Sequence, residues 1–216
     1  MKKILFLLIS LIAAISAFAL GSGTKAIGNI LFKNGQRLEA VNFEMPCELD
    51  KQIKIFPNGK QQKVETDSID FIILWNEKKP DNKQLFKPFL IENVDLKKGE
   101  ITGIGNKLIW LCCQHMGNNA SLWVEIGRPA FKKGNLVFKF NKMYTYVNMN
   151  YILKKTNKYP AHIPNKNGHV KKFISFYFKD DPELVNRVEA GEYDTSDWGY
   201  KSVDLDRIIS DYNPAE

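Results

Sequence analysis

The sequence predicts a β-rich α+β fold with a small barrel-like unit, an antiparallel β-sheet region and a C-terminal segment of three helices. Two Asn-Gly pairs separate runs of strand-forming residues near the N-terminus, a pattern typical of tight hairpins. About eleven strand-like runs precede residue 160, and no helical period interrupts them. Helical spacing and helix caps begin only after the proline-containing loop at 158–168, which places the helices at the C-terminal end.

Residues 1–19 have the pattern of a secretory signal peptide. Two lysines precede an almost unbroken apolar run at 4–15, and Ala-Phe-Ala at 17–19 supplies the small residues of a cleavage site. No cysteine follows that site, so a lipoprotein is not indicated, and no later run approaches the roughly 18 apolar residues of a membrane span. We expect a mature protein that starts near Leu20, is secreted or periplasmic, and has no transmembrane segment after cleavage.

The charge of the mature chain is unevenly distributed. Without the signal peptide, 29 basic and 24 acidic side chains remain, of which residues 20–168 carry 23 basic and 13 acidic groups and residues 169–216 carry 6 and 11. A basic body with an acidic tail suits a solvated surface or one that faces anionic lipid or polysaccharide. The lysines occur singly or in pairs and not in an aromatic-rich groove, so we expect no nucleic-acid partner.

Residues 20–78 are predicted to form the small barrel-like unit. Asn34-Gly35 and Asn58-Gly59 each favour a two-residue type I′ turn, because both positions of that turn need a positive φ. A strand through 71–75, apolar on both faces, closes the unit. This order of elements resembles SH3-like and Sm-like barrels, although none of the binding residues of those families can be placed here. The polar stretch 76–83 contains a proline and is predicted to be a linker or surface loop.

Residues 79–160 are predicted to form the antiparallel sheet region. Runs at 107–115 and 121–127 flank a turn-rich connection and form the clearest hairpin. A later strand alternates, so that one face carries a stripe of aromatic and amide side chains, which can stack on a sugar or anchor a protein interface. The alternative is that the helical tail covers this face. The predicted stripe consists of Tyr144, Tyr146, Asn148 and Asn150.

Residues 161–216 are predicted to form the helical segment. A first helix follows from an apolar stripe at i, i+3, i+4 and i+7 that begins at Val170. Asp181 is expected to cap a second helix and Gly191 to end it. Ser202 is expected to cap a third. The neighbouring carboxylates Asp180 and Asp181 fit a cap better than a catalytic pair.

The adjacent Cys112 and Cys113 resemble a metal or redox site, but their arrangement favours a structural role on a buried strand. Side chains of neighbouring strand residues point to opposite faces, so Cys112 is predicted on one face and Cys113 with His115 on the other. Cys47 can form a disulfide with Cys112 or with Cys113, and the spacing does not choose between them. The four-ligand spacings of zinc sites are missing, so we expect no metal and no cofactor.

Two functional hypotheses follow. The chain lacks a nucleophile motif with a fixed partner, which favours a non-enzymatic exported protein that binds an envelope protein or polysaccharide. The alternative is a hydrolase of envelope polymers in which His162 or His169, both predicted in an exposed loop, is the general base.

Four segments together resemble uncharacterised secreted proteins of the Bacteroides–Flavobacterium lineage: "ILFKNGQRLEA", "VETDSIDFIILWNEKKPD", "YFKDDPELVNRVEAGEYD" and "LDRIISDYN". The resemblance implies an exported or envelope protein and no particular mechanism. Secreted proteins of that lineage can be O-glycosylated at Asp-Ser/Thr followed by a small or apolar residue. Asp67-Ser68-Ile69 is similar to that motif, which makes Ser68 a candidate for glycosylation. A plain turn before the next strand is the competing interpretation.

Overall fold

The computed structural model describes residues 25–133, 135–139, 150–164, 169–195 and 204–214. Fourteen strands and three α-helices lie in these ranges. In chain order the strands are β1 (Lys25–Phe32), β2 (Arg37–Glu44), β3 (Gln52–Ile55), β4 (Gln62–Glu65), β5 (Ile69–Asn76), β6 (Lys79–Phe89), β7 (Glu92–Asp95), β8 (Glu100–Ile104), β9 (Ile109–Met116), β10 (Ala120–Glu125), β11 (Arg128–Lys132), β12 (Asn135–Lys139), β13 (Asn150–Lys154) and β14 (Ala161–His162). The helices are α1 (His169–Tyr177), α2 (Pro182–Glu189) and α3 (Leu205–Asp211).

Twelve of these strands form one sheet in the order β4-β3-β2-β1-β5-β6-β9-β10-β13-β14-β7-β8, and β11 and β12 form a separate hairpin. Neighbouring strands are antiparallel except β14 and β7, which pair in parallel through Ala161 and Glu92. The predicted β-rich fold with three C-terminal helices is confirmed. A closed SH3-like barrel is not shown, because the sheet is open and ends at β4 and β8.

The predicted linker at 76–83 is wrong, since the chain turns tightly there and continues as strand. Asn76 pairs with Lys79 across the β5–β6 hairpin, and the Asn76 side-chain oxygen accepts the backbone N–H of Lys78 at 2.9 Å. Pro80 is tolerated in β6 because β9 pairs only with the later residues Phe86–Phe89, so the missing N–H interrupts no ladder on that side. Residues 20–78 and 79–160 therefore contribute strands to the same sheet.

The first hydrophobic core lies among the N-terminal strands. It contains fully buried Phe43, Ile72 and Phe86. Trp110 of β9 reaches into this core, and its indole N–H lies 3.3 Å from the carbonyl of Asp50 and 3.2 Å from the hydroxyl of Thr66. These contacts hold the segment between β2 and β3 against the central strands.

Two further cores cover the two faces of the sheet around β10, whose six residues are all buried. On one face the helices pack on Leu122 and Ile152. On the other face Trp123 and Tyr151 are buried with Phe89, whose ring makes an edge contact with Trp123 at 4.9 Å between centroids. β10 is thus the strand that both sides of the protein share.

The helices follow their sequence signals closely. The apolar stripe of α1 is buried as predicted. An Asp181 carboxylate oxygen accepts the backbone N–H of Leu184 at 3.0 Å, and Gly191 adopts a φ of +82° after α2, so the predicted cap and stop are confirmed. The third helix starts at Leu205 with Asp204 at the cap position, whereas the predicted cap Ser202 lies outside the described residues.

The two Asn-Gly turns differ. Asn58 and Gly59 have φ of +51° and +77°, as a type I′ turn requires. The connection as a whole is longer than the predicted two residues, because Ile55 pairs with Gln62 and residues 56–61 lie between them. At the first pair only Gly35 has a positive φ, of +85°, so the type I′ prediction there is wrong. The Asn34 side chain instead accepts the backbone N–H of Gln36 at 2.9 Å, a local bond that stabilises a longer turn.

Gly28 of β1 leaves no room for a side chain. An added Cβ would lie 2.6 Å from the carbonyl oxygen of Ile73 and 2.7 Å from the Phe43 ring. We expect Gly28→Ala to lower the free energy of unfolding by about 1–3 kcal/mol, the usual cost of overpacking. Urea unfolding measures this loss. Gly105→Ala is the control, because its Cβ would keep 3.4 Å from the nearest atom; equal losses in the two variants would contradict the prediction.

Candidate functional site

The predicted aromatic stripe falls mostly outside the described chain. Tyr144, Tyr146 and Asn148 lie outside the described residues, and Asn150 is the first residue of β13. The Asn150 carbonyl accepts the backbone N–H of Ile163 at 2.8 Å. The stripe as a binding surface therefore stays a prediction.

The two adjacent cysteines point to opposite faces, as predicted. Cys112 is buried in the N-terminal core, and Cys113 packs with the core on the other face. The placement of His115 beside Cys113 is wrong, because Trp123 pairs with Cys113 and Leu122 pairs with His115, which leaves Gln114 as an extra residue. This β-bulge turns His115 to the helical face. There its Nε2 lies 2.8 Å from the Ser210 hydroxyl of α3.

Cys112 and Cys113 are free thiols in the structure, and the predicted disulfide between Cys47 and one of them stays a prediction. Burial raises the pKa of Cys112 to about 12 and that of Cys113 to about 11. Such thiols are protonated at neutral pH and are poor nucleophiles. Within the described ranges, no group of three or more His, Cys, Asp or Glu residues could hold a metal ion.

The two histidines of the hydrolase hypothesis are not where the sequence placed them. His162 lies in β14 and is half-buried beside Tyr151, with 5.2 Å between ring centroids. Burial lowers the pKa of His162, and its Nε2 is buried without a hydrogen-bond partner. His169 opens α1. Neither histidine hydrogen-bonds a carboxylate in the part of the chain that is described here, so the partner that would orient a general base is missing there.

Glu125, which contacts Glu48, has the most strongly shifted pKa of the carboxyl groups in the described residues. Glu125 ends β10 and is only 9% exposed. Burial, a hydrogen bond with the Glu48 side chain and the Glu48 charge together raise the pKa of Glu125 to about 8. At neutral pH Glu125 therefore holds its proton. Glu48 belongs to the segment between β2 and β3, and its carbonyl accepts the backbone N–H of Trp110 at 2.9 Å.

The hydrogen bond between the two side chains gives this pair the arrangement of a structural contact and not that of a glycosidase centre. Retaining and inverting glycosidases separate their carboxyl groups by about 5–9.5 Å to admit the substrate or a water molecule, whereas Glu125 and Glu48 are in direct hydrogen bond. The bond joins the β2–β3 segment to the end of β10. Its only signal in the sequence is a charged residue inside the apolar run "ASLWVEI".

A buried lysine forms the second polar cluster. Lys154 of β13 is 8% exposed and forms an ion pair with Asp180. Its ammonium lies 5.3 Å from the centroid of the Tyr212 ring and 5.7 Å from that of Tyr177. Burial acts to raise the pKa of Asp180, but hydrogen bonds from Lys154 and Tyr212 and the lysine charge outweigh it, and the pKa is lowered. The cluster joins the sheet to the helical segment.

The edge strand β8 carries an exposed surface that the sequence did not reveal. Four large apolar side chains are exposed in the described residues, and two of them, Ile101 at 46% and Ile104 at 49%, lie on β8. Lys97 and Lys98 precede the strand and Lys107 follows it, all three exposed. We call these five residues the β8 edge surface.

The candidate glycosylation residue Ser68 is accessible. It is exposed at the end of a short 3-10 turn before β5, and its hydroxyl donates to the Glu65 carbonyl at 2.6 Å. The competing interpretation of a plain turn is thus compatible with the geometry.

Comparison with protein-family models, with curated proteins and with solved structures finds no match to this chain. None of the helices in the described ranges is both long and apolar enough to cross a membrane.

The glutamate pair predicts a pH dependence of stability. Glu125 has a folded-state pKa of about 8 against an ordinary value of 4.5, so the folded chain holds a proton that the unfolded chain has lost between these values. Its contribution to stability is complete below pH 4.5 and falls as the pH rises towards 8, by up to about 1.4 kcal/mol per pH unit. Glu125→Gln keeps a donor for Glu48 but does not titrate, so the variant should lose this dependence.

Urea unfolding at several values between pH 5 and 8 measures the effect. Glu39→Gln is the control, because Glu39 is an exposed carboxylate with a 3.7 Å contact to Arg37. Parallel pH profiles for the wild type and Glu125→Gln would contradict the assignment.

The thiol environment predicts slow alkylation of Cys112 and Cys113. Because burial holds both pKa values near 11 or above, we expect their reaction with iodoacetamide at about pH 8 to be at least about a hundredfold slower in the folded chain than in urea. Mass spectrometry of digested samples measures each site. Rapid modification of both residues in the folded protein would show that β9 is accessible and would contradict the burial described above.

Proposed function

We propose that this protein is an exported, non-enzymatic binding module of the cell envelope, secreted or periplasmic after removal of residues 1–19. The observation that carries the proposal is the β8 edge surface, where Ile101 and Ile104 are exposed side by side among lysines. Grouped apolar side chains at a surface mark interaction sites. The N-terminal sequence supports the location, and the partner is an envelope protein or polysaccharide.

The hydrolase alternative has less support. His162 is half-buried, and burial lowers its pKa. The carboxyl group of Glu125, whose pKa is raised to about 8, is occupied by its hydrogen bond with Glu48. The resemblance to secreted proteins of the Bacteroides–Flavobacterium lineage and O-glycosylation at Ser68 both fit an envelope location. Both belong to the same proposal.

The proposal predicts contacts specific to one edge of the sheet. We expect a photo-crosslinking amino acid at position 104 of the full chain, expressed in its native cells, to yield one defined adduct in the envelope fraction. The same amino acid at position 63, on the opposite edge strand β4, is the matched control and should yield none. Mass spectrometry identifies the partner and N-terminal sequencing tests whether the mature chain starts near Leu20.

The identified partner is then purified, and its affinity is measured for the wild type and for an Ile101→Asp, Ile104→Asp double variant. We expect at least about a tenfold loss, since two exposed contacts are replaced by charges. A chain retained in the cytoplasm, or adducts only at position 63, would overturn the proposal.

A further inference from the structure

In the described part of the chain, the outer side of β8 has backbone groups that pair with no other strand. Among the described strands, β7 is its sole neighbour. The N–H of Gly105 donates to the Ile91 carbonyl at 2.8 Å, and the N–H of Glu92 donates to the Pro160 carbonyl, away from β8, also at 2.8 Å. Because Glu92 pairs with Ile104, the alternation of an antiparallel ladder turns the N–H and C=O of Ile104 outward.

A bulge places the two isoleucines on one face. Residues 101 and 104 of a regular strand point to opposite faces. Here the register shifts between Asn93 and Val94, so that Ile101 pairs with Val94 and Ile104 pairs with Glu92. Val94 and Glu92 are two residues apart and share a face. Both isoleucines therefore lie on the face on which Val94 packs against the helical core.

This apolar strip continues onto α1. Leu96 and Phe176 are half-buried against the same core as Val94. A Cβ added at Gly99 would lie 3.8 Å from the Phe176 ring, so the β7–β8 turn passes beside that ring. The exposed Lys179 ammonium lies 5.5 Å from the centroid of Phe176. An occupant of the edge therefore meets apolar side chains in the middle and lysines around them.

The lysines around β8 disfavour pairing of this edge with the same edge of a second copy of the chain. An antiparallel pair of two β8 edges centred on Thr102 would place Lys97 of one copy opposite Lys107 of the other, and like charges directly opposite are destabilising. One carboxylate, Glu100, lies on the strand and makes a weak exposed contact with Lys98 at 3.6 Å. Asp95 is occupied in the turn, where it accepts the backbone N–H of Lys97 at 2.9 Å. The excess of lysine at both ends of β8 complements acidic groups.

The opposite edge of the sheet does not have this character. β4 reads Gln-Lys-Val-Glu, with Lys63 in its middle and mostly exposed polar side chains. A lysine within an edge strand is a usual protection against pairing with another chain. The central residues of β8, from Ile101 to Ile104, carry no charge. The two edges therefore differ in their capacity to accept a strand.

We propose that the β8 edge binds an extended segment of another polypeptide by strand addition, with apolar residues over Ile101 and Ile104 and acidic residues against Lys97, Lys98 and Lys107. This mode uses backbone hydrogen bonds for affinity and side-chain contacts for selectivity. The inference rests on the proposed binding function and names the class of partner.

The experiment uses two labelled nine-residue peptides with the same core of alternating valine and threonine. One peptide has an aspartate pair at each end, and the other has a lysine pair at each end. Fluorescence anisotropy with the mature chain should show at least about tenfold tighter binding of the acidic peptide. A Lys97→Glu, Lys98→Glu, Lys107→Glu variant should reverse this preference, and the matched control Lys60→Glu, Lys63→Glu at the other edge should keep it.

A second variant separates strand addition from charge alone. Ile104→Pro removes the outward N–H, so it should abolish binding of the acidic peptide, whereas Ile104→Val should retain it. Circular dichroism checks that both variants are folded.

Equal binding of the two peptides, or none up to about 1 mM, would overturn the inference. Binding of the chain to anionic phospholipid vesicles in place of the peptide would also overturn it and would assign the lysines to a membrane surface. A position-104 adduct together with failure of the peptides would leave the binding function standing and remove only this class of partner.

Discussion

The fold depends on covering both faces of β10. All six residues from Ala120 to Glu125 are buried, so neither face of this strand can be left to solvent. The helical segment covers one face at Leu122, and a second apolar cluster covers the other at Trp123. Because β9 and β13 flank β10 on its two sides, the same requirement extends to them. The adjacent Cys112 and Cys113 follow from it, since small, moderately apolar side chains suit a strand that is packed on each face.

Burial on both faces leaves polar groups that need partners inside the protein. Lys154 finds Asp180 and three aromatic rings, and Glu125 keeps its proton and bonds Glu48. Each pair joins an element distant in sequence to the central strands: the helical tail in the first case, the β2–β3 segment in the second. A buried charge without its partner is strongly destabilising. These pairs therefore favour one position of the helical tail and of the β2–β3 segment on the sheet over other positions. This selectivity is separate from any stability that the pairs contribute.

The sequence predicts what local rules decide and misses what long-range pairing decides. The cap at Asp181, the stop at Gly191 and the turn at Asn58 were predictable because each depends on a few neighbouring residues. The position of β7 and β8 beside β14 was not predictable from the sequence, since a parallel pairing between Glu92 and Ala161 has no local signature. The bulge at Gln114 likewise escaped prediction, because alternation carries no mark of an inserted residue. The β8 edge surface was not predicted either. The edge of a sheet is defined by which strands pair, and that pairing is long-range.

The two edges of the open sheet connect this architecture to the proposed function. An open sheet must manage two rows of unused backbone groups, and proteins usually do so with charged edge strands. β4 follows this rule through Lys63. At β8 the lysines lie beyond the two ends of the strand, and two exposed isoleucines lie between them. This arrangement is the basis of the proposal that the β8 edge disfavours a second copy of the chain and accepts an acidic strand. This asymmetry between the two edges is the structural basis of the proposed binding function, since only β8 combines exposed apolar side chains with uncharged central residues.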